Sequence, residues 1–173
     1  MSPANRHAAL LVSDLMPRNR FLNGAASMQE LRTEIEIEAP VSEVWSILTD
    51  FERHPQWNPF IQHISGELRL GSRLQVRLGP PGKRTMTFKP IVQMVEPGHS
   101  FRWLGHFLLP GLFDGEHIFE LKADGAHTTR FIQREKFSGI LVGLFRKSID
   151  SDIRSGFIAM NAALKTEVEK GND

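Results

Sequence analysis

The chain has 173 residues, of which 40% are hydrophobic and 24% charged, a composition typical of one globular domain with its own core. Lys and Arg number 21 against 20 Asp and Glu, and the resulting net charge of +1 gives no reason to expect nucleic acid as a partner. There is no cysteine, which excludes disulfides, thiolate metal sites and cysteine nucleophiles.

The N-terminal part of the chain differs from the rest. Residues 1–27 lack periodicity, so we expect either a flexible tail or a mis-assigned start, with the true start at Met28. Residues 28–173 are predicted to be a single ligand-binding domain. The apolar stretch at residues 8–12 is shorter than the ~7–15 residues of a secretory core, and no run approaches the ~20 residues of an integral membrane span. We therefore expect a cytoplasmic protein.

The first elements can be predicted from periodicity. Apolar and charged residues alternate over 31–38, which predicts a half-buried strand. Pro40 or Ser42 then opens a helix that ends near Asp50. Pro55 and Pro59 bracket a second short helical turn, which contains Trp57 and Asn58. Two interpretations stay open for that pair: Trp57 plugs one end of the core while Asn58 caps local backbone, or both contact a ligand directly.

A run of short strands follows. Strand-like segments over 61–68, 72–78 and 86–94 are divided by glycines and prolines, and Pro90 marks a bulge or an unpaired edge position. The next strand turns Phe101, Trp103 and Phe107 to one face. After it, an apolar match favours a hairpin with a three-residue loop over 124–126, in which Gly125 takes a positive φ.

That hairpin carries the polar residues of interest. The loop over 124–126 predicts that Phe119 pairs with Phe131 and that His117 pairs with Gln133, all on one inward face. Glu135 lies two residues further along the same face.

Beyond the hairpin the period changes to helical. Apolar residues recur three or four positions apart from Ile140 to about Lys170, which predicts one long amphipathic helix. Gly156 interrupts it, and close approach of the helix backbone to the sheet explains that glycine. One strand, two short helices, about six strands and one helix make an α+β layer. A twisted sheet of this size curls, and a single helix leaves a cavity on its concave side.

Several short motifs follow one another along residues 31–170. They are Ile37-Glu38-Ala39-Pro40, Val44-Trp45, Pro55-x-Trp57-Asn58-Pro59-Phe60, Phe101-x-Trp103-x-Gly105, Gly115-Glu116-His117-x-Phe119-x-Leu121 and Phe131-x-x-x-Glu135-x-Phe137-x-Gly139. In order and spacing they resemble the START-like (SRPBCC) superfamily, and within it the polyketide cyclase/dehydrase and lipid-transport branch. The resemblance implies a helix-grip fold: a curved seven-stranded antiparallel sheet wrapped around the long C-terminal helix, with two short helices after the first strand and a pocket inside.

The predicted cavity is rich in aromatic side chains. We expect it to be lined by Trp57, Asn58, Phe88, Trp103, His117, Phe119, Phe131, Gln133, Glu135, Phe137 and Phe157. Glu135 is predicted to be the main polar anchor, with Arg84, Arg102 and His117 as candidate partners, because an unpaired carboxylate among aromatics costs several kcal/mol.

An apolar loop lies between two of the predicted strands. It contains Leu108, Leu109, Leu112 and Phe113, and it either folds back onto the core or gates the cavity, touching a membrane or a donor protein transiently.

Three functions remain open at this stage. The first is binding or carriage of a small hydrophobic ligand, such as a lipid, polyketide or aromatic metabolite, by a monomer or homodimer. The second is a cyclase/dehydratase that uses Glu135 and His117 as acid and base. The third is a protein-interaction module on the outer sheet face. We expect no cofactor. We also expect no metal, because none of the seven histidines stands two or four residues from another.

Overall fold

The computed structural model of the protein describes residues 27–107 and 109–172, which contain eight strands and four α-helices. In chain order these are β1 (Ser27–Ile37), α1 (Val41–Thr49), α2 (His54–Trp57), β2 (Ile61–Ser65), β3 (Gln75–Leu78), β4 (Met86–Phe88), β5 (Ile91–Glu96), β6 (Ser100–His106), β7 (Asp114–Ala123), β8 (Thr129–Gly139), α3 (Val142–Ser148) and α4 (Arg154–Glu169). The order confirms the predicted α+β class, with two short helices after the first strand.

The strands form two antiparallel sheets. One has the order β1-β8-β7-β6-β5, and the other the order β2-β3-β4. A bridge between Arg73 and Ile91, and a 2.9 Å hydrogen bond from Leu74 N–H to the Pro90 carbonyl, join the two sheets. The strand predicted over 86–94 is divided into β4 and β5 because Pro90 has no N–H to donate to a ladder.

The C-terminal helix is long and internally irregular. Between α3 and α4 lies a π-helical segment, Ile149–Ile153, so that 28 consecutive residues are helical, close to the predicted 140–170. The side chains of Phe157, Met160 and Leu164 are fully buried against the sheets. A side chain at Gly156 would overlap the ring of Phe60, which precedes β2, so the predicted close approach at this glycine is present.

The register predicted for the hairpin of β7 and β8 is wrong by two residues. His117 pairs with Glu135, Phe119 with Gln133, and Leu121 with Phe131. The connection has five residues, 124–128, and is closed by a 2.8 Å hydrogen bond from Asp124 N–H to the Thr128 carbonyl. Gly125 has the expected positive φ of 97°. Adding two loop residues moves the pairing but not the face, because side chains alternate with a period of two.

The predicted tail lies almost wholly outside the described residues. Its last residue, Ser27, is the first of β1 and pairs with Gly139. Within the described part of the chain, no helix is long and apolar enough to cross a membrane.

Candidate functional site

Two rows of residues cross the five-stranded sheet side by side. Trp103 on β6, His117 on β7 and Glu135 on β8 are cross-strand partners and form one row. Gly105, Gly115 and Phe137 form the next row on the same face. This face is turned towards the C-terminal helix, because the imidazole of His117 stacks on the ring of Phe157 in α4, with the ring centroids 4.7 Å apart.

An inner chamber of about 90 Å³ lies over these two rows. Its remaining walls are mainly apolar and include Phe60, Val76, Leu78, Phe88, Pro90 and Ile153. The three-stranded sheet and the π-helical segment thus close the chamber opposite the rows.

An outer chamber of about 370 Å³ adjoins the inner one. The two share six lining residues: Phe60, Leu78, Phe88, Phe107, Phe113 and Ile153. The outer chamber reaches the surface at Lys83 and Arg84, which are exposed, and Lys83 Nζ lies 2.7 Å from the carboxylate of Asp152. The outer chamber alone has a volume in the ~300–1,000 Å³ range of small-molecule sites.

Two glycines make room for the inner chamber. Gly105 and Gly115 are direct partners on β6 and β7, so two neighbouring positions of the inward face carry no side chain. The carboxyl of Glu135 occupies the space above Gly115, where a Cβ would lie only 2.5 Å from Glu135 Oε1. Neither glycine is among the residues predicted to line the cavity, although both stand where the alternation predicts an inward side chain.

Glu135 is the unusual polar group of the inner chamber. Among the described residues, no side chain or backbone group forms a hydrogen bond or ion pair with its carboxyl. The side chain is half-buried by surface area, while burial of the carboxyl itself raises its pKa to about 8. A carboxyl with this pKa is mostly protonated at neutral pH.

None of the three candidate partners of Glu135 forms a hydrogen bond or ion pair with its carboxyl. Arg84 lines the outer chamber, and Arg102 pairs with Glu116 at 3.3 Å on the opposite face of the sheet. His117 is the cross-strand neighbour of Glu135, but its Nε2 is bonded to Gln133. Arg102 cannot reach Glu135, because even-numbered residues of β6 point away from the inner face.

A chain of buried polar groups holds His117. The Gln133 amide donates to Asn161 Oδ1 at 2.5 Å, so its oxygen accepts from His117 Nε2, at 3.1 Å. Asn161 in turn donates to Thr33 Oγ1 on β1 at 3.2 Å. Burial lowers the pKa of His117 to about 3, so the imidazole is neutral at pH 7. His117 is thus a fixed, uncharged wall of the inner chamber.

The other predicted site residues lie in three places. Phe88, Trp103, His117, Glu135 and Phe137 line the inner chamber. Phe119, Phe131, Gln133 and Phe157 are fully buried beside it and line neither chamber. Trp57 and Asn58 belong to a separate cluster.

In that separate cluster, Asn58 has a local structural role. Its Oδ1 accepts hydrogen bonds from the N–H groups of Phe60 and Ile61 at 3.0 and 2.9 Å. Trp57 is buried against the ring of His54, with centroids 4.8 Å apart. This arrangement corresponds to the capping interpretation, and neither residue lines either chamber.

The loop after β6 is tied to the helix that follows β8. The carbonyls of Gly111 and Leu112 accept hydrogen bonds from Ile140 and Leu141 at 3.2 and 3.0 Å. Phe113 lines both chambers and packs between Phe137 and Phe145. Leu109 is 64% exposed, Leu112 is half-buried, and Leu108 lies outside the described residues. The loop therefore has one side on the cavity and one in solvent.

No group of three or more His, Asp or Glu side chains that could hold a metal ion occurs within residues 27–107 and 109–172.

Comparison with known proteins gives a family and a fold. The family described as "Polyketide cyclase / dehydrase and lipid transport" matches residues 28–169. A search of curated protein sequences finds no significant match.

Solved structures of the same fold come from bacteria and a plant. The Zhui aromatase/cyclase of Streptomyces sp. R1128 is 14% identical, with 85% of this chain and 97% of that chain covered at a TM-score of 0.70. Norcoclaurine synthase of Thalictrum flavum, solved with dopamine and hydroxybenzaldehyde, is 12% identical, with coverage of 90% and 95% and a TM-score of 0.66. The protein TTHA0849 of Thermus thermophilus is 18% identical, with coverage of 84% and 100% and a TM-score of 0.65.

Proposed function

This chain belongs to the polyketide cyclase/dehydrase and lipid transport family, and we propose that it binds or carries a small hydrophobic molecule in its two adjoining chambers. The observation that carries the proposal is the continuous apolar lining shared by the inner and outer chambers, which leads from exposed Lys83 and Arg84 to the Glu135 carboxyl. An aromatic or polyketide-like ligand suits this lining better than a plain acyl chain, because the aromatic side chains of Phe60, Phe88 and Trp103 line the space.

The loop 109–113 supports a gating role in this proposal. Phe113 forms part of the wall of both chambers, while exposed Leu109, Ile140 and Leu144 lie beside it on the loop and at the start of α3. Exposed apolar residues next to a cavity suit transient contact with a membrane or a donor protein during loading. The proposal keeps the expectation of a cytoplasmic monomer or homodimer without cofactor.

A second candidate is a cyclase or dehydratase. The pKa of Glu135, raised to about 8, suits a general acid at neutral pH. The Glu135 side chain also faces a cavity that an aromatic substrate could enter. His117 suits the role of base less well, because its Nε2 proton is committed to Gln133 and its pKa is lowered to about 3. The aromatase/cyclase and norcoclaurine synthase relatives make this chemistry compatible with the fold.

Native mass spectrometry of the full chain purified from its own host tests the binding proposal. We expect a small molecule to co-purify with the protein. We also expect this molecule to compete with the neutral fluorescent probe N-phenyl-1-naphthylamine for binding. Gly105→Leu adds a side chain inside the inner chamber, whereas Gly143→Leu adds the same side chain on the exposed surface of α3. Binding should be lost in the first variant and kept in the second. Equal binding by both variants would overturn the assignment of the site.

The same experiment separates the two functions. An enzyme in which Glu135 acts as the acid should release different molecules from wild type and from Glu135→Gln, and for a dehydratase their masses should differ by one water. A carrier should release the same molecule from both.

A further inference from the structure

Resting on the proposed binding function, we propose that the inner chamber is a site for a protonated amine: an aromatic ligand enters with its ammonium group foremost, and the Glu135 carboxylate is its counter-ion. The chamber then binds arylalkylamines in preference to neutral molecules of the same shape.

The first argument is charge. Glu135 has no hydrogen-bond or ion-pair partner within the described part of the chain, and the inner chamber is lined by no Lys or Arg. Two other titratable groups line the inner chamber. His117 on β7 is neutral, and His106 on β6 has its Nδ1 2.7 Å from the Asp114 carboxylate. Further out, Lys83 is paired with Asp152, and exposed Arg84 lies at the outer chamber. A cationic ligand would supply the missing partner.

The second argument is the aromatic wall around the carboxyl. Trp103 lies in the same row as Glu135, and Phe137 lies in the next row. The chamber is also lined by three further aromatic residues, Phe60, Phe88 and Phe113. The face of an aromatic ring attracts a cation, and more strongly where both are shielded from water. A carboxylate in a chamber lined by aromatic rings suits an organic ammonium, since the carboxylate and any ring face turned to the ligand both favour positive charge.

A neutral ligand with a carbonyl group is the competing chemistry. The protonated carboxyl of Glu135 could donate one hydrogen bond to it, but bonds between charged groups are about twice as strong as neutral ones. The two chemistries also differ in proton balance. When an ammonium binds, the Glu135 carboxyl loses its proton to solvent and the ligand keeps its own. When a carbonyl binds, no proton is released.

Isothermal titration calorimetry with 2-phenylethylamine, its neutral counterpart 2-phenylethanol, and acetophenone tests the proposal on the full chain. For the amine we expect release of close to one proton per ligand at pH 7, read from two buffers of different ionisation enthalpy. Its affinity should rise about 50-fold between pH 6 and pH 8, as a carboxyl with a pKa of about 8 becomes ionised. The affinities for the alcohol and the ketone should not rise.

Variants identify the carboxyl responsible. Glu135→Gln should abolish the preference for the amine and its pH dependence, while Glu116→Gln, which removes a carboxylate from the opposite face of the same sheet, should leave both intact. Gly115→Ala gives a second variant, because its methyl group displaces the Glu135 carboxyl without changing its charge.

Equal affinity for amine and alcohol, or an acetophenone affinity that depends on Glu135, overturns the amine site and leaves the proposed binding function standing. If none of the three probes binds, and N-phenyl-1-naphthylamine does not bind either, the proposed function fails as well.

Discussion

The carboxyl of Glu135 lies directly above Gly115, its diagonal neighbour on the adjacent strand. A methyl group at Gly115 would lie 2.5 Å from Glu135 Oε1, so Gly115→Ala must push the carboxyl aside. The displaced atom is the end of a flexible side chain, and we expect the free energy of unfolding to fall by no more than about 1 kcal/mol. The affinity for a bound probe should fall at least tenfold, which fluorescence titration would measure.

Gly105→Ala is the matched control for that change. It adds the same methyl group to the same chamber, but the nearest atom is Pro90 Cβ at 3.6 Å, an ordinary contact. If both alanine variants weaken binding equally, lost volume and not displacement of the carboxyl explains the effect.

The pH dependence of stability should carry the signature of Glu135. Its pKa is raised from 4.5 to about 8, so the folded state keeps a proton that the unfolded state loses, and stability declines as the pH rises through this window. The pKa of His54 and of His117 is lowered from 6.5 to about 4 and about 3, so their contribution is lost as the pH falls below 6.5. Urea unfolding should therefore show a maximum near pH 6.5.

Glu135→Gln should remove the alkaline side of this profile. Between pH 6.5 and pH 8 the wild type should lose about 1 kcal/mol, because the decline due to Glu135 is partly offset by the deprotonation of the two histidines in the unfolded chain, whereas the variant should lose nothing over the same range. Glu116→Gln should behave as wild type. If Glu135→Gln shows the same alkaline decline as wild type, then the Glu135 carboxyl of the wild type is already ionised at neutral pH.

The alternation of side chains made the inward face predictable, but it did not make the strand register predictable. Glu135 shares a face with Trp103 and Phe137 whatever the loop length, because a strand has a period of two. The loop length depends on contacts around the turn, such as the 2.8 Å pair between Arg130 and Asp124, that alternation does not encode. The error moved the cross-strand partner of His117 from Glu135 to Gln133.

The chamber itself needed the third dimension. It exists because Gly105 and Gly115 meet across β6 and β7, and that meeting depends on a register which the sequence did not supply. The π-helical segment was not predicted either, because the apolar spacing was interpreted as one long regular helix. Phe145, Ile149, Ile153 and Phe157 recur every four residues, a spacing that drifts by about 40° per step on a regular α-helix. A local π turn is wider and absorbs part of this drift.

The contact between Phe60 and Gly156 predicts that two glycines of the same helical segment respond oppositely to alanine. Gly156→Ala would place a methyl group in the ring of Phe60, and we expect a loss of about 1–3 kcal/mol from overpacking. Gly143→Ala, on exposed α3, meets only Ser27 Oγ at 4.0 Å and should gain about 0.5–1 kcal/mol from helix propensity. Thermal unfolding measures both, and a stabilised Gly156→Ala would contradict the packing described between the helix and Phe60.

The loop 109–113 predicts a separation between kinetics and stability. Leu109 is 64% exposed, so Leu109→Ser should change the free energy of unfolding by less than about 0.5 kcal/mol. If the loop gates the cavity, the same change should alter the release rate of N-phenyl-1-naphthylamine several-fold in stopped-flow measurements. Leu70→Ser is the control, because Leu70 is similarly exposed at 67% and lines neither chamber.

Phe113→Ser should behave differently from the change at Leu109. The ring packs against Phe137 and Phe145, with centroids 5.4 and 5.3 Å away, so its loss should cost about 2 kcal/mol or more as well as accelerate release. A gate therefore requires that Leu109→Ser and Phe113→Ser both change the release rate, while only the second lowers stability. If Leu109→Ser leaves the release rate at the value of Leu70→Ser, then the loop acts only as packing for the core, through Phe113, and the ligand must enter between Lys83 and the π-helical segment without its help.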